Sequence, residues 1–112
     1  MLYDEKHAEQ EAIMETAFRM CAAARTAPKT RGIDYIRTMI VTGEEKDALA
    51  DEMDRLGESL GAASFIRDAK NVRLSHAVVL IGTRLSTRGL NCGYCGFATC
   101  AARAPCARAG TA

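Results

Sequence analysis

The sequence predicts an α/β fold in which a long N-terminal helix is followed by a βαβαβ layer with a mostly parallel sheet. Two observations support this fold class. Apolar residues recur every three or four positions near the start of the chain, and later strand-like apolar runs alternate with helical segments. Such alternation is typical of parallel sheets, because a crossover helix returns the chain to enter the next strand in the same direction. We expect an α/β domain over residues 1–83 and a cysteine-rich, ferredoxin-like segment over residues 84–112.

The first helix is predicted over residues 4–24, with Asp4 as its N-cap. Ile13 and Ala17 lie on one face of this helix, which we expect to be buried. Cys21 lies on the same face, so we interpret it as a core thiol rather than as a functional residue.

A basic loop is predicted at residues 25–32, because Pro28 and Gly32 both break helices. The loop carries three cations: Arg25, Lys29 and Arg31. One interpretation is a solvated loop. The other is an anion clamp that holds a cofactor, for instance through the phosphate of a flavin such as FMN.

Three strands and two helices are predicted after this loop. Thr42 begins the first of these helices, Glu45 completes a capping box, and Gly61 ends the helix. The apolar run at residues 76–82 is typical of a strand buried on both faces, as in parallel sheets. In chain order the elements are a strand at 35–41, a helix at 42–60, a strand at 64–66, a helix at 68–74 and a strand at 76–82.

Four cysteines near the C-terminal end predict a metal or iron–sulfur centre. They are Cys92, Cys95, Cys100 and Cys106, with the spacing C-x2-C-x4-C-x5-C. Gly93 and Gly96 allow backbone conformations that turn N–H groups toward the sulfurs, which stabilises thiolates and bound sulfide. A structural zinc site usually pairs two C-x2-C knuckles, and the second knuckle is missing, so iron–sulfur ligation is favoured. Zinc, or no metal, remain as alternatives.

The charged residues are distributed unevenly along the chain. All 14 acidic residues lie between Asp4 and Asp68, whereas the charged residues after Asp68 are all basic. Either the surface is unevenly solvated, or the basic part surrounds an anionic centre such as a thiolate-bound cluster. Nucleic acid is not expected as a partner, because only Tyr94 and Phe97 offer stacking faces near the cysteines.

A membrane-spanning segment is not expected, because no apolar run approaches the roughly 20 residues that a spanning helix needs. The charged N-terminal sequence also lacks the pattern of a secretory signal, so we expect a cytoplasmic protein.

The cysteine motif resembles the signature of an uncharacterised prokaryotic family whose members are described as containing a ferredoxin domain. The similarity includes the four residues before Cys92 and the segments 23–29, 41–46, 67–69 and 78–82. It implies a four-iron cluster (4Fe-4S) but no particular reaction. Members of that family continue beyond the position of Ala112 with another cysteine, so we expect a shortened form in which Cys106 is only a provisional fourth ligand.

A fainter resemblance is to the N-terminal part of flavin-dependent nitroreductases, which have a helix, a basic loop, a strand ending in Val-Thr and a capped helix. The resemblance implies FMN bound through Arg25, Lys29 and Arg31 at the interface of a homodimer. We expect Met14 and Phe18, which lie off the main apolar stripe of the first helix, to contribute to such an interface.

The predicted function is that of an iron–sulfur protein in electron transfer, or of the cluster-bearing part of an oxidoreductase that serves a redox partner protein. The alternatives are a flavin-dependent nitroreductase-like enzyme and a zinc-stabilised interaction module. No acid/base pair or nucleophile stands out, so the sequence predicts no substrate chemistry. In a parallel sheet the basic loop and the cysteine segment would lie at opposite ends, and flavin-and-cluster chemistry would need a second subunit.

Overall fold

The first helix of the computed structural model, α1 (Glu5–Thr26), confirms the predicted long N-terminal helix. The structure describes residues 1–102. Asp4 is the N-cap, and its Oδ1 accepts a hydrogen bond from the backbone N–H of His7 at 2.8 Å. This bond satisfies one of the N–H groups that the first turn of a helix leaves without a partner.

The next two helices, α2 (Gly43–Leu60) and α3 (Ala63–Leu74), pack against each other as a helical hairpin. Gly61 follows α2 in the left-handed conformation at φ 65°, which confirms it as the end of that helix. Thr42 occupies the N-cap position, but its side chain makes no capping hydrogen bond. The predicted capping box with Glu45 therefore lacks the bond to the Thr42 side chain.

The contacts between these helices include a close approach at Gly57, a buried lysine, and ion pairs from Arg73 to Asp51 and Asp54. A Cβ added at Gly57 would lie 2.8 Å from Cγ1 of Ile66, so the two helices approach more closely there than any larger residue allows. Lys46 is 5% exposed, and its Nζ donates to the carbonyl oxygens of Val72 and Arg73, both at 2.9 Å. These carbonyls belong to the last turn of α3, where backbone acceptors lack a full set of helical partners. The Val72 carbonyl also accepts from the N–H of Ser75 at 3.2 Å, so the lysine is its second donor.

The two strands, β1 (Ile36–Thr42) and β2 (Ala77–Thr83), form a two-stranded antiparallel sheet. They pair along their full length, so that the first residue of β1 lies opposite the last residue of β2. The predicted mostly parallel βαβαβ sheet is therefore wrong.

The error arises at residues 64–66, which were predicted as a strand and instead lie near the start of α3. Three residues are too few for periodicity to distinguish a strand from a helical turn. Without that strand, two successive helices separate β1 from β2. The first helix carries the chain away from the end of β1 and the second carries it back, so β2 runs against β1, whereas one crossover helix would preserve direction.

The antiparallel register corrects a second expectation. The basic loop enters β1 and the cysteine segment leaves β2, and these two strand ends are adjacent. The two segments therefore lie at the same end of the sheet within one chain, not at opposite ends.

The sheet is covered incompletely by the described residues. α1 packs against both strands, yet Met39 and Leu80, which pair across the sheet, are 60% and 40% exposed. Five of the described residues are buried: Ala17, Lys46, Ala50, Gly57 and Ala69. Among residues 1–102, no helix has the length and apolar character needed to cross a membrane.

Candidate functional site

The basic loop and the cysteine segment meet where β1 begins and β2 ends. The backbone N–H of Arg84 donates to the carbonyl oxygen of Tyr35 at 3.1 Å, which extends the pairing one residue beyond the strands. Farther out, Nη1 of Arg31 donates to the carbonyl oxygen of Arg88 at 3.2 Å. These two contacts join residues far apart in sequence into one surface beside the cysteines.

Tyr35 is the aromatic centre of this surface. The guanidinium carbons of Arg84 and Arg88 lie 5.0 Å and 4.7 Å from the centroid of its ring, within the range of cation–π attraction. The tyrosine thus holds two like charges near each other, which their mutual repulsion would otherwise separate.

Arg25 and Lys29, two of the three cations predicted to bind a cofactor, are used within the connection from α1 to β1. Nη1 of Arg25 lies 2.6 Å from Oδ2 of Asp34, and Nζ of Lys29 lies 3.8 Å from Oδ1 of the same carboxylate. Lys29 also donates to the carbonyl oxygens of Ala24 and Arg25, near the end of α1.

The backbone N–H of Ile36 donates to Asp34 at 2.9 Å, and this bond, together with Arg25 and Lys29, holds the pKa of that carboxyl below its ordinary value. Arg31 is thus the one of the three predicted cations that the structure places against the cysteine segment.

The first two cysteines lie on a tight turn. The N–H of Gly96 donates to the carbonyl oxygen of Gly93 at 3.0 Å, and both glycines have positive φ, at 88° and 76°. A β-carbon disfavours this conformation, so the turn depends on glycine as the sequence predicts. The turn leaves both Cys92 and Cys95 exposed as free thiols.

Cys100 is half-buried, and its sulfur accepts a hydrogen bond from the backbone. The N–H of Asn91 donates to Sγ at 3.3 Å, and the N–H of Cys100 donates in return to Oδ1 of Asn91 at 2.8 Å. The Asn91 N–H is the main cause of a lowered pKa at this thiol. Partial burial opposes it, while the N–H groups of Gly89 and Leu90 and the hydroxyl of Thr87 act in the same direction. These bonds favour the thiolate, which is the form that binds metals.

The cysteines fit a metal centre by their donor chemistry and not by a preformed geometry. Within residues 1–102, no three His, Cys, Asp or Glu side chains come close enough together to hold a metal ion. Cys106, the provisional fourth ligand, lies outside the described residues. Cys21 is half-buried on α1, away from the cysteine segment in sequence.

Sequence reasoning did not identify Asn91 and Tyr35 as residues of this site. Asn91 has a φ of 52°, and asparagine tolerates the left-handed conformation and bonds readily to nearby backbone, so its position directly before the first cysteine was an available signal. Tyr35 offered no comparable signal, because its neighbours Arg84 and Arg88 are set by the register of an antiparallel sheet.

Comparison with known proteins identifies one relative of unassigned function. The chain is 44% identical over 101 residues to an uncharacterized protein of Archaeoglobus fulgidus. The match covers 89% of the chain and 54% of the relative, so the chain spans about half the length of the protein that it matches. No protein family model and no solved structure matches the sequence. The similarities to ferredoxin-domain proteins and to nitroreductases therefore stay predictions.

Proposed function

We propose that the chain is an iron–sulfur protein that takes part in electron transfer, with Cys92, Cys95 and Cys100 as ligands and Cys106 as the fourth. The observation that carries this proposal is the hydrogen bond that the N–H of Asn91 donates to the Cys100 sulfur. Backbone N–H groups that donate to cysteine sulfur stabilise the negative charge of the thiolate. In a cluster they also stabilise the charge of the bound sulfides.

The residues of the chain have separate tasks in this proposal. A bound cluster supplies one-electron chemistry. The turn at Gly93 and Gly96 leaves the thiols of Cys92 and Cys95 exposed, so iron and sulfide can reach them. The donors around Cys100 favour its thiolate form. Arg84 and Arg88 add positive charge, and residues 69–102 contain no acidic side chain that would neutralise it, so the surroundings suit an anionic centre.

An anaerobic reconstitution tests the proposal. Purified protein is incubated with iron and sulfide, desalted, and assayed for iron, for acid-labile sulfide and for absorbance near 400 nm. We expect bound iron and sulfide in equal amounts and broad absorbance in that region. Bound zinc without visible absorbance would instead favour the zinc-stabilised interaction module, and structured flavin bands would favour the FMN enzyme.

The FMN alternative has less support from the geometry. Arg25 and Lys29, which it assigns to the flavin phosphate, already contact Asp34 and the end of α1. The basic loop and the cysteine segment lie at one end of the sheet, so flavin-and-cluster chemistry would not require a second subunit. Arg25 and Lys29 are nevertheless not free to bind a flavin phosphate.

We also propose a cytoplasmic location and a redox partner protein. In the described residues all four cysteines are free, and unpaired thiols persist in reducing compartments. The exposed turn at Cys92 and Cys95 places the candidate ligands within reach of such a partner.

The homodimer stays a proposal. Phe18, which with Met14 is predicted to contribute to its interface, is 60% exposed on α1, and we add the outer edge of β2 as a second contact. Because Arg84 donates to Tyr35, alternate residues of β2 pair with β1, and the N–H and C=O groups of Val79 and Ile81 point away from it. β2 carries no charge, and Ile81 is 53% exposed. An uncharged open edge is a template for another strand, and a two-fold axis is the commonest symmetry of small assemblies.

A further inference from the structure

We propose that Arg31, Arg84 and Arg88 form a binding site for a phosphate-type oxyanion at the end of the sheet. The site contains none of the proposed metal ligands, although the iron–sulfur proposal also draws on the charge of Arg84 and Arg88, so phosphate binding by the metal-free chain tests it separately.

The three arginines lack a counter-ion in the described part of the chain. Among the residues that the structure describes, none of these three arginines takes part in an ion pair, whereas Arg25 and Lys29 do. Asp34, in the loop before β1, forms its ion pairs with Arg25 and Lys29 and not with these three arginines. Residues 69–102 hold no acidic side chain.

The three arginines also lie close to one another. The ring of Tyr35 lies within cation–π distance of both Arg84 and Arg88, so the fold places two guanidinium groups beside one ring. Arg31 reaches the same place through its bond to the carbonyl oxygen of Arg88. Three unneutralised cations at one point repel one another, and an anion among them would remove that repulsion.

Arg88 has a hydrogen-bond donor without an acceptor. Nη1 of Arg88 is buried, and it has no hydrogen-bond partner within the described part of the chain. A buried N–H without an acceptor is unfavourable, and native proteins seldom leave one unsatisfied. An oxygen of a bound anion would supply the missing acceptor.

Backbone strain at Arg31 supports the same assignment. This residue has φ 61° and ψ 15°, a left-handed conformation that is uncommon outside glycine and is often found at functional sites. Gly89, at φ 71°, lies so close that an added Cβ would be 3.2 Å from Nη1 of Arg31. Arg31 therefore adopts an unfavourable backbone conformation at the position from which its guanidinium contacts Arg88.

The ligand class follows from the donors. Guanidinium groups offer paired N–H donors that match the oxygens of phosphate, and three of them suit a tetrahedral anion better than a single carboxylate. The anion is either free phosphate or the phosphate group of a larger molecule, and both present the same chemistry to these arginines.

The test is a calorimetric titration of the full chain with inorganic phosphate in a zwitterionic buffer at low ionic strength. We expect measurable binding that Arg88→Gln and Arg84→Gln each weaken about tenfold, as the loss of a charged hydrogen bond predicts. The matched control is Arg55→Gln, because Arg55 is paired with Glu52 on α2; it should leave phosphate affinity unchanged. Circular dichroism of each variant establishes that it is folded.

Three outcomes would overturn the proposal: no phosphate binding to the wild-type chain, unchanged binding by both Arg84→Gln and Arg88→Gln, or equal weakening by Arg55→Gln. If Arg88→Gln does not fold, Arg84→Gln and Arg31→Gln carry the same comparison. A parallel titration with phenyl phosphate identifies the source, because tighter binding of the ester indicates the phosphate group of a larger ligand and equal binding indicates the free ion.

Discussion

Asn91 and Cys100 are hydrogen-bonded in both directions. The N–H of Asn91 donates to Sγ of Cys100 at 3.3 Å, and the N–H of Cys100 donates to Oδ1 of Asn91 at 2.8 Å. The pair joins the two ends of the segment that carries Cys92 and Cys95. One asparagine therefore both closes this loop and stabilises the sulfur of the third cysteine.

Replacing this asparagine tests whether the closure matters. Asn91→Ala removes the acceptor for the Cys100 N–H, so we expect the loop to open and the protein to bind iron roughly tenfold more weakly, as is common for residues that support metal ligands. Iron content is measured after reconstitution at a series of iron concentrations. Asn71→Ala, on the exposed surface of α3, is the control and should bind iron like the wild type. Equal iron binding by all three proteins would contradict the role assigned to Asn91.

Asp34 should make the stability of the chain depend on pH. The N–H of Ile36, followed by Arg25 and Lys29, lowers the pKa of Asp34 in the folded chain. A carboxyl with a lowered folded pKa stabilises the protein above its unfolded pKa of about 3.9, and this contribution is lost as the pH falls through the folded pKa.

We expect Asp34→Asn to unfold at lower urea concentration than the wild type at neutral pH, and the difference to shrink as the pH falls to about 2. Glu9→Gln, an exposed substitution on α1, controls for the general loss of an acidic residue. A difference in urea midpoint that stays constant across this range would show that the Asp34 carboxylate contributes little.

Lys46 should contribute to stability through the carbonyl groups that it satisfies. Lys46→Met keeps the aliphatic stem but leaves the carbonyl oxygens of Val72 and Arg73 without this donor. We expect the free energy of unfolding to fall by about 2 kcal/mol, the usual effect of losing hydrogen bonds from a charged group. Lys70→Met, at an exposed position on α3, should change it by less than about 0.5 kcal/mol. Urea titrations followed by circular dichroism measure both values.

The β2 edge is tested by placing a charge on it. If two copies pair through this edge, Ile81→Lys should convert the dimer to a monomer, because charged side chains on edge strands oppose pairing. Met39→Lys changes an equally exposed residue on β1 and should leave the dimer intact. Light scattering at micromolar concentration gives the mass of each protein, and a monomeric wild-type chain would exclude this assembly.

The helices and the two strands could be predicted from the sequence because their signals are local. Asp4 caps α1 and Gly61 ends α2, as the pattern indicated. The direction of β2 could not be predicted, because it depends on whether residues 64–66 form a strand or a helical turn. In the structure these residues belong to a helix that packs against α2, with Ile66 against Gly57, and residue spacing does not reveal that packing.

The candidate site was predictable to a similar extent. The spacing of the cysteines identified the segment, and the glycines identified its turn. The pairing of Arg25 with Asp34, and the placement of Arg31 beside Arg88, depend on the loop conformation and on the strand register, and neither is visible in residue spacing.

The central claim, that the cysteine segment holds an iron–sulfur cluster, is tested most directly by iron and sulfide content in three cysteine variants after anaerobic reconstitution. We predict that Cys92→Ser and Cys95→Ser lose the bound iron and sulfide, because a hydroxyl does not replace a soft thiolate ligand. Cys21→Ser, half-buried on α1, should retain the wild-type content. Loss of iron from Cys21→Ser with full retention by Cys92→Ser would contradict the assignment.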